Sequence, residues 1–390
     1  METIENLEKK GFSSDSQANS FSGFLPWKAY DEQSGIFVGR NSLGFALEAI
    51  PMVKSFQAFQ NELFTLFKEV IEEGESIQCL LWADPMISPF LDRWDNSRKR
   101  SCEVYRLVSQ RRSHFLQLSN QLSPRIFRFI LSYSIQSSHL SNLEKVKQKK
   151  QTILKTLKSL SYSYCWDMED FIERIGSLIP FVAVKATPRK EEELYRTISS
   201  PLSVGASFDV QERCLKWTMD TSIYLKTFRV MDSPDHGSFS RLQGLIGDVF
   251  QFEAPFYLHY GMHCPHFPPR SMLTNEKFLW TQLSAGIGGK KENLNRAEKS
   301  LKHLFCLNRF DIAENHSLHL LSYLSALPMS WGEYAQDLKK ADLLKLSLPS
   351  ECGFFVPLEE REYALYNAAL SNEGVICDAD GNYSSLKSIV

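Results

Sequence analysis

The sequence predicts an α+β fold: two strand-helix-strand units with small mixed sheets, each followed by a long helical insertion. Two stretches carry this expectation. In the first, Leu43, Phe45, Leu47 and Ala49 alternate with Gly44, Ala46 and Glu48, which reads as a strand closed by Pro51. Phe56, Phe59, Leu63, Leu66, Phe67 and Val70 then recur in steps of three and four, one stripe of a helix that Gly74 stops. Ile77 to Trp82 forms the next strand, ahead of Asp84-Pro85. The same order returns later: strand Ile223 to Val230, turn Asp232 to Asp235, a helix with Phe239, Leu242, Leu245, Ile246, Val249 and Phe250, and strand Phe256 to Cys264 after Pro255. Duplication and coincidence both fit this spacing.

The remaining elements follow in order. Met1 to Asn19 is polar, lacks a signal-peptide core, and reads with residue 20 as a disordered tail, residues 1–20. Ala29-Tyr30, a turn at Glu32 to Gly35 and Ile36 to Val38 read as a hairpin. The main domain, residues 21–350, divides into units 21–200 and 201–350. The first insertion runs from Ser88 to about Ile179 and is rich in arginine: Arg93, Arg98, Lys99, Arg100, Arg106, Arg111 and Arg112 face few acids. Lys145, Lys147, Lys149, Lys150, Lys155 and Lys158 follow on a further helix, and Asp167, Glu169, Asp170 and Glu173 begin an acidic helix that suits them as partners. A docking surface for another subunit or for anionic lipid, and a plainly solvated face, are both compatible with the arginine-rich stretch.

Met272 to Leu324 reads as helical again, with Leu279, Leu283, Leu294, Leu301, Leu304 and Phe305, and Trp331 to Leu344 as a last helix. Cys352 to Pro357 reads as a short strand within a C-terminal extension, residues 351–390, or the truncated start of a next domain. Strand alternation also places Phe45 and Leu47 in one core with Leu80 and Trp82.

Composition excludes several functions. A net charge of −2 over 390 residues gives no reason for bulk nucleic-acid binding. The 8 cysteines form no C-x-x-C pair, which argues against a thiolate zinc site and for a reducing compartment. The longest apolar run, Leu178 to Val184, is interrupted by Pro180 and is far short of a span of about 20 residues.

No motif for chemistry survives inspection. Ser284 to Lys291 approaches a phosphate-binding loop, but Ser284 stands where the first glycine belongs and Lys291 where the serine or threonine belongs. It reads as a hinge or helix break between helical stretches. His259 and His263 share a strand face at roughly 13 Å, too far apart for one zinc, and read with His266 as surface histidines at a strand end. Asp378, Asp380 and Asn382 imitate a calcium loop, but Tyr383 and Ile389 occupy its glycine and closing glutamate positions. No carboxylate pair stands out, so no catalytic, cofactor-binding or metal residue is expected.

A resemblance supplies what motifs do not. The order Leu25-Pro26-Trp27, Tyr30, Gly44-Phe45 and Ile50-Pro51 resembles the start of TraC-type conjugation ATPases of type IV secretion systems. Ile77 to Pro85, the arginine-rich Ser88 to Arg112, Tyr224 to Val230, Leu245 to Asp248 and the strand at Phe256 continue it. The resemblance implies the N-terminal half of such a protein, cytoplasmic and peripheral at a bacterial inner membrane. It implies partners among secretion components, a separately encoded ATPase half as a further one, and leaves homo-oligomerisation open. In that family a RecA-like domain with Walker motifs follows. No residue here matches those motifs, so the expectation is a non-catalytic assembly module, with no cofactor and no direct nucleic-acid partner. The alternative is a fragment of an ATP hydrolase powering pilus assembly and transfer, with its nucleotide-binding half truncated or encoded elsewhere.

Overall fold

The computed structural model describes residues 21–49, 70–84, 107, 110–111, 126–136, 142–160, 162–178, 207–218, 222–232, 245, 248–249, 252–264, 278–334, 354–357, 376–377 and 383–384. The described residues begin with a short 3-10 turn, Phe21–Phe24, and the hairpin β1 (Trp27–Asp31) and β2 (Ile36–Gly39). Gly35 adopts φ 64° in the hairpin turn and donates its N–H to the Asp31 carbonyl at 2.7 Å, a conformation a side chain would strain. Then come β3 (Ser42–Ala49), β4 (Glu75–Asp84), β5 (Ile126–Gln136), helix α1 (Leu143–Leu160), β6 (Ser163–Cys165) and helix α2 (Met168–Leu178).

The second half repeats the list: hairpin β7 (Ser207–Gln211) and β8 (Cys214–Thr218), then β9 (Ser222–Asp232), β10 (Phe256–His263) and β11 (Phe278–Gly289). Helix α3 (Lys291–Leu307), β12 (Asp311–Glu314) and helix α4 (His319–Ala326) complete it. Short strands β13 (Phe354–Pro357), β14 (Ile376–Cys377) and β15 (Tyr383–Ser384) follow.

The expected pair of units with small mixed sheets and long helical insertions does not form. Among the described residues, thirteen strands make one sheet in the order β1-β2-β3-β5-β4-β10-β11-β9-β8-β7, with β6 added to β3, β12 to β9 and β13 to β11. All of its pairings are antiparallel. Four strands fall where helices were expected, β5 and β6 within Ser88 to Ile179 and β11 and β12 within Met272 to Leu324, and the two long ones show why. Within β5, Phe127, Phe129, Leu131, Tyr133 and Ile135 alternate with Arg128, Ile130, Ser132 and Ser134, a period of two that the surrounding basic residues obscure. Within β11, Leu279 and Leu283 stand four apart and imitate a helix, while Leu283, Ala285 and Ile287 share one strand face.

The strand order is symmetric about the β4–β10 pair. Read outward from that pair, β4-β5-β3-β2-β1 mirrors β10-β11-β9-β8-β7, and the added β6 and β12 sit on equivalent strands. Each half is therefore a βαββαβ unit with the order fourth, first, third, second, extended by a hairpin. Val70 in the first crossover and Leu245, Asp248 and Val249 in the second are helical. The topology thus places two units of like strand order edge to edge in one sheet.

The sheet buries both faces. One carries Phe45, Leu47, Cys79, Leu81, Leu131 and Leu258 under α1, α3 and the crossover residues Val70 and Leu245. The other carries Leu80, Trp82, Ile130 and Tyr257 under α2, α4 and the N-terminal segment. Phe45 and Leu47 therefore do not share a core with Leu80 and Trp82. Leu47 pairs with Leu131, and Leu131 with Cys79, so the intervening β5 puts the odd-numbered residues of β4 beside Phe45 and Leu47.

Candidate docking surface

Of the seven basic residues singled out in the first insertion, Arg111 is described, and it is helical and exposed. Leu107, four positions earlier and so on the same helix face, is 55% exposed, with Gln110 exposed beside them. Arg93, Arg98, Lys99, Arg100, Arg106 and Arg112 lie outside the described residues.

The lysines of α1 have partners other than the acidic helix expected for them. Lys145 Nζ reaches Glu75 Oε1 at 2.8 Å and Glu72 Oε2 at 2.9 Å, and Lys149 Nζ reaches Glu72 Oε1 at 2.7 Å. Hydrogen bonds from Lys149 and then Lys145 pull the Glu72 carboxyl down to about 2. Lys150 donates to the carbonyls of Ser34 and Gly35 and so fastens the β1–β2 turn. The acids of α2 lie on the opposite face, because Phe171, Ile175 and Leu178 turn that helix onto the other core. Lys155 and Lys158 remain exposed.

The histidines of β10 are interior, not surface, residues. His259 is fully buried: its Nε2 accepts from Gln78 Nε2 at 3.2 Å, and its Nδ1 meets Ser284 Oγ at 3.2 Å. Burial lowers its imidazole to about 3 and keeps it neutral. His263 Nδ1 meets Ser76 Oγ at 2.9 Å. Gln78 also donates to the carbonyls of Ser325 and Leu327, and Ser132 Oγ accepts the N–H of Met329. This polar row across the middle of the sheet holds the segment after α4 against its centre. No group of three or more His, Cys, Asp or Glu among the described residues is placed to hold a metal. His266, Asp378, Asp380 and Asn382 lie outside those residues.

Sequence reasoning passed over one buried charge network. Arg128 Nη1 donates to Glu48 Oε1 at 2.7 Å and its Nε to Asp84 Oδ2 at 3.0 Å. Glu48 Oε2 accepts from Tyr164 at 2.7 Å and from Trp166 at 3.1 Å. The signal was the position of Glu48 inside an alternating strand, on a face shared with Ala46.

Ser284 to Lys291 is not a hinge between helices. Its first six residues end β11, and α3 starts at Lys291. Gly286 lies between Tyr257 on β10 and Thr227 on β9, so both sides of the stretch are engaged in ladders. A Cβ at Gly286 would stand 2.1 Å from the Tyr257 ring. The backbone there has no freedom to wrap around a phosphate. No helix among the described residues is long and apolar enough to cross a membrane.

A family model described as TraC protein matches residues 21–267, which covers the first βαββαβ unit and the second through β10. No curated protein matches the chain. Among solved structures, an alkyldihydroxyacetonephosphate synthase is similar at 11% identity and a TM-score of 0.24, over 70% of this chain and 40% of that one. A score that low carries no argument about fold or activity.

Proposed function

The chain belongs to the TraC family, which ties it to type IV secretion and conjugation, and we propose that it serves there as a non-catalytic assembly and docking module. It works from the cytoplasmic side of the inner membrane, binding other secretion components and a separately encoded ATPase half. The observation that carries the reading is the family match across the sheet, residues 21–267. Two features support it. Four buried ionisable groups of the central strands, Glu48, Asp84, Arg128 and His259, are bonded to one another or to neighbouring polar groups in structural roles. Leu107 and Arg111 instead present an apolar and a cationic side chain on one exposed helix face, a pairing suited to recognition.

Affinity capture tests it. The chain should retain inner-membrane components of the secretion system or the ATPase half, and should neither hydrolyse ATP nor gain thermal stability from it. Failure of the folded chain to capture any of them removes the docking role. A saturable, ATP-dependent rise in Tm removes the non-catalytic one.

A further inference from the structure

We infer that residues 21–25 are a strap that latches the sheet in a rolled form. The strap fastens the β7–β8 hairpin of the second unit to β1 of the first, and the roll opens and closes there. The inference goes beyond the docking reading and depends on no partner. β1 and β7 are the two ends of a line of ten strands, hence nine strand steps apart, which is roughly 43 Å in a flat sheet. Trp27 on β1 lies three residues beyond Phe24, at most about 11 Å of chain. Yet the Phe24 ring is 6.2 Å from that of Phe208 on β7. The Phe21 ring is 4.9 Å from the same Phe208 ring and 5.8 Å from Trp217 on β8. A flat sheet does not satisfy these distances. Its two ends curl toward one another over the face that carries α2 and α4.

The sequence sets the direction of the curl. Side chains on a concave face crowd together, so the middle of that face takes small ones. Toward α2 and α4 the central strands present Gly44, Ser132, Gly261, Ser284 and Gly286, which lie against Met329, Trp331, His259 and Tyr257. Toward α1 and α3 the neighbouring positions are Phe45, Leu131, Met262, Leu283 and Ile287. Aromatic side chains from both ends of the sheet then share the enclosed side, Trp27 and Phe37 from the first unit with Trp217 from the second.

Side-chain packing, not a ladder, closes this roll. Among the described residues β1 pairs with β2 alone and β7 with β8 alone. Phe21 bridges the seam, buried against Phe208, Trp217 and Tyr323. Two side chains tie the backbone of the strap: Arg40, just past β2, donates to the Gly23 carbonyl and Tyr334 to that of Phe24. Lifting the strap breaks no strand pairing, so the hairpin can swing outward while the rest of the sheet stays intact. A fully closed barrel has no such freedom, because its edges are joined by ladder hydrogen bonds. Local openings of this kind draw on the least stable contacts of a fold.

Hydrogen exchange of the full 390-residue chain, read by mass spectrometry, tests this. Phe21→Ala with Phe24→Ala should speed exchange across residues 207–218 by about tenfold, while β4 and β10 exchange as in the wild type. Tyr334→Phe removes one tie to the strap and keeps the ring, and should give a smaller rise of about threefold, confined to the same residues. No rise across residues 207–218, or an equal rise in β4 and β10, overturns the inference. Should the double variant not fold, Tyr334→Phe decides by the same two readings. Neither reading involves secretion components, so a failure of the docking role leaves the latch standing.

Discussion

Glu48 on β3 and Arg128 on β5 meet in the interior of the sheet at 2.7 Å, and Arg128 turns its Nε to Asp84 on β4. Burial opposes the charge on Glu48, yet the Arg128 guanidinium, the Tyr164 hydroxyl and Arg174 together hold its carboxyl below the usual range. The pairing ties three adjacent strands together near one end of the first unit. Its net contribution is small, because desolvation of the charges offsets most of their attraction.

Breaking the network from one side is a different matter. Arg128→Met takes the guanidinium from buried Asp84 and leaves Glu48 with Arg174 alone, at 3.6 Å, and should cost about 3–5 kcal/mol. Adding Glu48→Gln and Asp84→Asn removes both stranded charges, so the triple variant should recover much of that loss. Urea denaturation of the two variants measures it. Additive costs would mean that the three residues act independently.

The strands with a plain alternation, β3, β4 and β9, were legible in the sequence, and so was the hairpin of β1 and β2. What hid was strand character under basic or leucine-spaced residues. In β5 the arginines around Phe127 to Ile135 look like a helix face, and in β11 Leu279 and Leu283 fall at helical spacing. Missing both removed the third strand of each unit, and with it the continuous sheet. The position of Trp82 was lost for the same reason: without β5 between β3 and β4, the parity of the two strands could not be aligned. Of the candidate surface, the exposure of Arg111 was legible, whereas the commitment of Lys145 and Lys149 to Glu72 and Glu75 depends on contacts distant in sequence.

Two buried imidazoles make the fold sensitive to mild acid. Burial lowers His259 to about 3, and burial with the nearby His316 and Lys226 charges lowers His319 to about 4, both from 6.5. His319 Nδ1 accepts the backbone N–H of Thr227, and His259 Nε2 accepts from Gln78, so neither site admits a second proton without losing a bond. Below pH 6.5 the unfolded chain takes up protons that the folded chain refuses. Stability is therefore full above that pH and falls as the pH drops toward 4 and then 3. Glu72, lowered to about 2 from 4.5, adds a smaller loss across that lower window, reduced by solvent screening. Melting temperatures of the wild type and of His259→Gln with His319→Gln should diverge in slope between pH 6.5 and 4. Equal slopes would clear the imidazoles of responsibility.

Gly261 makes room for the Trp331 ring against the centre of the sheet. A Cβ there would stand 2.5 Å from the Trp331 ring and 2.9 Å from His259 Cε1. Gly261→Ala should therefore destabilise by about 1–3 kcal/mol through overpacking. Trp331→Leu costs stability on its own through the cavity it leaves, yet should absorb part of the alanine's clash. A double-mutant cycle is then expected to show favourable coupling. Coupling near zero would mean that the segment after α4 shifts freely away from the sheet.

The final contrast separates what holds the fold from what the fold presents. Trp82 is fully buried in the core with Tyr257 and Ile130. Trp82→Ala should cost about 3–5 kcal/mol, from lost transfer energy and the cavity left behind. Leu107 and Arg111 share an exposed helix face, and Leu107→Ser or Arg111→Glu should change stability by no more than about 0.5 kcal/mol. Capture of secretion components should respond in the opposite order. Arg111→Glu should weaken it with a salt dependence that the wild type also shows, because a rim charge acts through long-range attraction. Leu107→Ser should weaken it at every salt concentration, because its contribution is apolar contact. Denaturation and capture of the three variants, run side by side, decide the matter. Stability lost in the Arg111 variant with capture intact would make this helix a structural element and move the docking surface elsewhere.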